Sequence, residues 1–100
     1  MKEKLMLKIN EFQQLMKNIY LKRDQQQGLE RTFIHLIEEI GELAECLNSK
    51  DKKVIQSEIA DIVAWIFSIA NLLEIDVESS LLNKYPNQCP RCKSNPCICK

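Results

Sequence analysis

Apolar residues recur at helical spacing along most of the chain. Leu5, Ile9, Phe12, Met16 and Ile19 follow one another at steps of 4, 3, 4 and 3, which is one stripe of an amphipathic helix. KRDQQQG, Lys22 to Gly28, then breaks the pattern with polar residues and a glycine. A second helix is expected from about Leu29 to Leu47, with a core stripe of Phe33, Ile37, Ile40, Ala44 and Leu47, flanked by Leu29, Leu36 and Leu43. NSKDKK is a polar turn in which Ser49 and Asp51 can cap the next helix. That third helix is expected from about Lys52 to Leu73. Its second half, IADIVAWIFSIANLL, is apolar nearly all round and so needs cover on several sides. In so short a chain, that cover implies other subunits. Ala60, Ala64, Ser68 and Asn71 give the same helix a second face of small residues, suited to close approach. A short fourth helix is expected near Asp76, whose side chain can cap VESSLLNKY. The pattern predicts an all-α bundle of about four helices over residues 1–86, completed by oligomerisation, and a cysteine-rich tail over residues 87–100.

Composition narrows the class. The 100 residues carry 14 basic and 14 acidic side chains, so no net charge draws the chain to nucleic acid. No apolar run reads as long enough to span a bilayer, and no membrane association is expected. The opening MKEKLMLKINEFQQL mixes charge into its apolar residues, unlike a signal peptide, and a cytoplasmic location is the default expectation. Four of the five cysteines fall in the last twelve residues, as CPRCKSNPCICK. Without a secretory signal, such clustering favours a metal over disulfides.

The carboxylates carry the candidate chemistry. IEEIGELAE, Ile37 to Glu45, holds four glutamates. At about 100° per residue from Ile40, Glu39 falls near −100° and Glu42 near −160°, on the rim of the core stripe, while Glu38 and Glu45 lean to solvent. Gly41 lies on the other flank, where it can allow close packing. On the third helix, taking Ile62 as zero, Glu58 falls at roughly −40°, inside the stripe of Ile55, Ile59, Ile62, Ile66, Ile69 and Leu73, with Asp61 near −100° and Trp65 between them. A carboxylate among isoleucines is costly unless it is paired with a lysine or arginine, or bound to a cation. Two helices thus each present an acidic i, i+3 pair. Four converging carboxylates repel one another unless a hard cation sits among them, and all-oxygen ligands suit Mg²⁺ or Mn²⁺. A di-iron bundle is set aside, because His35 is the one histidine and no glutamate precedes it by three.

EEIGE, followed fifteen residues on by EIAD, resembles the motif of the MazG-like nucleotide pyrophosphohydrolases, E-E-x-x-E, a spacer, then E-x-x-D. TFIHLIEEIGELAE and EIADIVAWIFSIANLLEIDVESSLLNKYP also look like that family's two core helices and return helix, over about residues 24–86. The resemblance implies an all-α, Mg²⁺-dependent enzyme that splits a nucleoside triphosphate between its α- and β-phosphates. Carried over residue by residue, it makes Glu39, Glu42, Glu58 and Asp61 the metal ligands. Glu38 matches the first motif glutamate, as a support for a ligand or water. Either Glu38 or Glu42 can serve as the base. Lys84 stands where related enzymes place a phosphate-contacting lysine, and is equally a cation at a helix end. Trp65, His35 and Asn71 can line a base pocket; Trp65 is the best placed and reads equally as plain core. The resemblance also implies a dimer or tetramer with third helices packed together.

Cys89, Cys92, Cys97 and Cys99 form C-x2-C-x4-C-x-C, the makings of a compact, closed Zn²⁺ knuckle. Disulfides, an iron–sulfur cluster and free thiols are the alternatives. Arg91, Lys93 and Lys100 add three charges to the tail, too few to argue for nucleic acid. Cys46 reads as an ordinary helix residue. Two other classes stay open: a non-catalytic helical oligomerisation module with a zinc knuckle, and a small zinc-dependent nucleic-acid-binding protein. A pure scaffold has no reason to place Glu58 in its apolar stripe.

Overall fold

Helix starts follow the capping residues. The Asp51 carboxylate accepts from the Lys53 N–H at 3.1 Å and opens the third helix, and Asp76 accepts from the Ser79 N–H at 3.3 Å and opens the fourth. The computed structural model describes residues 7–100, as α1 Ile9–Gln27, α2 Leu29–Leu47, α3 Lys52–Leu72 and α4 Val77–Lys84, with no strand among the described residues. The chain is all-α, and four of its five cysteines gather near the C-terminus. Leu5, first in the expected α1 stripe, lies outside the described residues. α3 packs against both α1 and α2, and α4 folds back onto α1.

KRDQQQG does not break α1. Lysine, arginine and glutamine are good helix formers, so the helix continues through Gln27 and stops only at Gly28. There φ is 88°, a conformation glycine adopts freely, and the Gly28 N–H closes the helix on the Asp24 carbonyl at 2.9 Å. Met16, Tyr20, Asp24 and Gln27 carry one face of α1 inward across the supposed break.

The buried set is small and half polar. Met16, Leu36, Phe67 and Ala70 are joined inside by Asp24, Thr32, Ser68 and Asn71. Phe12 meets Phe67 edge-on, with centroids 5.1 Å apart. Asp24, Thr32 and Asn71 each find hydrogen-bond partners. The Thr32 hydroxyl donates to the Gly28 carbonyl at 2.8 Å. The Gln13 side-chain amide donates to Asn71 Oδ1 (2.9 Å) and the Ile75 carbonyl (2.8 Å), and its oxygen accepts from the Val77 N–H (3.0 Å). One glutamine thus ties α1 to the end of α3 and the start of α4.

The expected core stripes mostly face outward in the single chain. On α2, Phe33, Ile37, Ile40 and Leu47 are each about half exposed. The inner face runs instead through Thr32, Leu36, Glu39 and Leu43, turned by about 100° from the expected one. Glu39 therefore sits within the intramolecular face rather than at its rim. On α3, Ile59, Ile66 and Leu73 are exposed while Phe67, Ser68 and Asn71 face inward, so half of the expected small-residue face is the packed one. Each of these two helices carries two apolar or semi-apolar faces, and one of the two has no partner within the chain. Nothing approaches within 4 Å of where a Cβ on Gly41 would stand, so that glycine permits no close contact inside one chain. By length and composition α3 is also apolar enough to cross a bilayer, which corrects the expectation that no segment is.

Candidate metal centre

The turned face of α2 brings Glu39 directly against the first half of α3. One carboxylate oxygen from each of Glu39, Glu58 and Asp61 lies within 4.8 Å of the other two. Glu39 and Glu58 are half-buried, and the Oε2 atom of each is fully buried without a hydrogen-bond partner. Burying an anionic oxygen unpaired is costly. No lysine or arginine relieves it, since the ion pairs among the described residues are Arg23–Asp24 and His35–Glu38. Glu42, one turn after Glu39 and exposed, stands close enough to help raise the Glu39 carboxyl but outside the close trio.

Without a cation, a proton takes the cation's place. Burial, then hydrogen bonds with Glu58 and Glu42 and the charges of both, push the Glu39 carboxyl up to about 7. The donor set is all oxygen, it converges on one point, and two of its atoms lack partners. These features fit a hard divalent cation.

A cavity of about 220 Å³ opens beside the trio, lined by Tyr20, Arg23, Glu39, Asp61, Ala64, Trp65 and Ser68. His35 stacks on Trp65 at 4.8 Å and 18°, while the Arg23 guanidinium lies over the same ring at 4.5 Å and over Tyr20 at 4.0 Å. His35 and Arg23 thus both cover the Trp65 ring. Glu38 turns to solvent and holds His35, with Oε1 3.2 Å from Nδ1.

The other expected base-pocket and phosphate residues lie elsewhere. Asn71 is engaged with Gln13, its Nδ2 donating to the Gln13 carbonyl at 3.2 Å, and lines a separate cleft between α1 and the α3–α4 turn. Lys84 ends α4, with Nζ 5.9 Å over the Tyr85 ring. Neither lines the cavity. Tyr20, Arg23 and Asp24 have no place in the expected site, because the polar run around them reads as a break. Continuing the α1 stripe from Met16 in steps of 4 to Tyr20 and Asp24 is the signal that finds them.

In the tail, the sulfurs of Cys89, Cys92, Cys97 and Cys99 all lie within 4.8 Å of one another. Cys89 and Cys99 are 3.7 Å apart, and Cys92 and Cys97 3.9 Å, far beyond the ~2.05 Å of a disulfide. The Ile98 N–H, donating at 3.4 Å, leads the effects that lower the Cys92 thiol to about 6. Hydrogen bonds with Cys97, Cys89 and Cys92 raise Cys99 to about 11. The cluster is equipped to hold a metal. Cys46 donates to the Leu43 carbonyl at 3.3 Å, an ordinary helix contact.

The model of the MazG nucleotide pyrophosphohydrolase domain matches residues 27–93, which take in α2, α3, α4 and the first two tail cysteines. No curated protein matches the chain. Two-thirds of the chain is covered, including the helices that carry the carboxylate trio, and the protein belongs to the MazG nucleotide pyrophosphohydrolase domain family.

Proposed function

We propose that this protein is a Mg²⁺-dependent nucleoside triphosphate pyrophosphohydrolase, converting a (deoxy)nucleoside triphosphate and water to the monophosphate and diphosphate, as housecleaning of the nucleotide pool. The carrying observation is the trio itself: three carboxylates from two helices, two with buried oxygens that no group among the described residues satisfies. Glu39, Glu58 and Asp61, with Glu42 beside them, would hold Mg²⁺ or Mn²⁺. When bound, the cation supplies positive charge against phosphate oxygens and makes water a better nucleophile. Glu42 presents an exposed carboxylate next to Glu39, placed to accept the proton that water gives up. Glu38 positions His35, which backs Trp65 at the cavity wall.

The working form in this reading is a homodimer or tetramer. The outward stripes of α2 and α3, Phe33, Ile37, Ile40, Ile59 and Ile66, make an apolar surface that a second copy would cover. α3 is read as an inter-subunit core helix rather than a membrane span, since Glu58 and Asp61 in its first half are expensive in hydrocarbon. The metal of the tail is read as Zn²⁺. Four sulfurs at ~2.3 Å from a tetrahedral zinc stand about 3.8 Å apart, close to the two measured separations.

Three measurements test these readings. Across a panel of canonical and modified nucleoside triphosphates with Mg²⁺, diphosphate release should appear, and Glu58→Ala or Asp61→Ala should lower it roughly 100-fold or more. Activity unchanged in both variants sinks the site, and no release from any nucleotide favours the non-catalytic scaffold. Light scattering should give two or four times the 11.7 kDa chain mass; a monomer at micromolar concentration contradicts the proposed interface. Metal analysis of purified protein should find one zinc per chain, lost on Cys92→Ser; iron, or no metal in protein with four free tail thiols, rules zinc out.

A further inference from the structure

Arg23 and Asp24 are left over from the metal centre and precede the family-matched segment. Asp24 is 1% exposed, and its Oδ1 takes two hydrogen bonds from Arg23, from Nε at 3.0 Å and Nη2 at 2.8 Å. Gln27 Nε2 adds a longer contact at 3.5 Å. The guanidinium lies against both the Tyr20 and Trp65 rings. A long side chain is thereby fixed on one edge by a buried anion and on its planes by aromatic rings. Such a group loses little freedom when it meets a ligand.

Arg23 is nonetheless 43% exposed. Among the described residues it is the one cationic side chain lining the cavity that Glu39 and Asp61 bound on the other side. Nε and one Nη2 hydrogen point to Asp24, which leaves the Nη1 hydrogens and the second Nη2 hydrogen unassigned. The cavity is smaller than the ~300 Å³ at which pockets for whole ligands begin, so it takes only part of a nucleotide. Its Trp65 wall is already covered by His35 and by Arg23 itself, which leaves less of the ring for a base. A cation on one wall and carboxylates that fit a cation on the other match a polyphosphate chain better than a base.

We propose that Arg23 is a substrate-binding residue that grips the triphosphate across the cavity from the carboxylate trio, and that Asp24 is the positioning residue that aims it. This rests on the pyrophosphohydrolase reading above and deepens it. The base and sugar then lie beyond the cavity mouth.

Arg23→Ala leaves Asp24 buried and unpaired and threatens the fold, so the test uses Arg23→Lys and the charge-neutral double variant Arg23→Gln/Asp24→Asn. Calorimetry with Mg²⁺ follows binding of inorganic tripolyphosphate and of an α,β-methylene nucleoside triphosphate, which cannot be split at that bond. A thermal shift with Mg²⁺ alone reports the metal centre separately. Both ligands should bind wild type. The double variant should bind them roughly 10- to 100-fold more weakly, the span expected for a lost charge-assisted hydrogen bond, with its Mg²⁺ shift retained. Arg23→Lys keeps the charge but loses the fork, and should fall in between, with KM raised more than kcat is lowered. Wild-type affinity and KM in a folded double variant, with wild type active, overturn the inference and leave Arg23 as a structural partner of Asp24. A wild type that binds neither polyphosphate overturns this inference and the pyrophosphohydrolase reading together.

Discussion

Three carboxylates are forced together where α2 crosses the first half of α3, and much of the structure is arranged around that repulsion. A folded chain can meet it with a proton, a lysine or arginine, or a bound cation. Among the described residues no basic side chain pairs with them, so in the metal-free protein a proton remains, and the Glu39 carboxyl rises to about 7. In the proposed reading, such a carboxyl would give up its proton to a cation. Fold stability and the proposed function would then oppose each other, as is common where binding groups are pre-assembled.

That opposition shapes the packing around the site. The inner faces of α1, α2 and α3 bury as many polar residues as apolar ones, and hydrogen bonds rather than apolar contact hold the joint at Gln13 and Asn71. Much of the chain's aliphatic surface lies on the opposite faces. A small domain that spends its interior on a polar site has little core of its own. The outward stripes are where the missing core can be recovered, between copies of the chain.

Much of this is legible in the residues. The four helices follow from apolar spacing, the caps at Asp51 and Asp76 from residue type, and the pairing of EEIGE with EIAD from helical angles together with the family resemblance. The stripe angles decide less, because periodicity finds an apolar face without saying which partner it meets. On α2 the strongest stripe, through Ile37 and Ile40, points out of the chain, and Glu39 lies on the weaker inner face. The run at Lys22–Gly28 misleads for a related reason. Its polarity reads as a helix break, yet Asp24 and Gln27 are polar because they face a polar interior, and Arg23 because it pairs with Asp24 at the cavity. The helical angle of Trp65 puts it on the metal side, but only the folded chain shows His35 and Arg23 packed on its ring.

The pH dependence of metal-free stability tests the central claim most directly. A carboxyl raised to about 7 is protonated in the native state while the same group, at its ordinary value of 4.5, has ionised in the unfolded chain. The native state then binds the extra proton, so stability falls as pH rises from about 4.5 to 7 and levels off above. Glu39→Gln removes that burden. In chelator at about pH 8, above both values, Glu39→Gln should melt at a higher temperature than wild type, and saturating Mg²⁺ should raise the wild-type midpoint while leaving the variant nearly unmoved. A metal-free variant no more stable than wild type at that pH, or one that Mg²⁺ stabilises as strongly, would contradict a cation site built on opposed carboxylates.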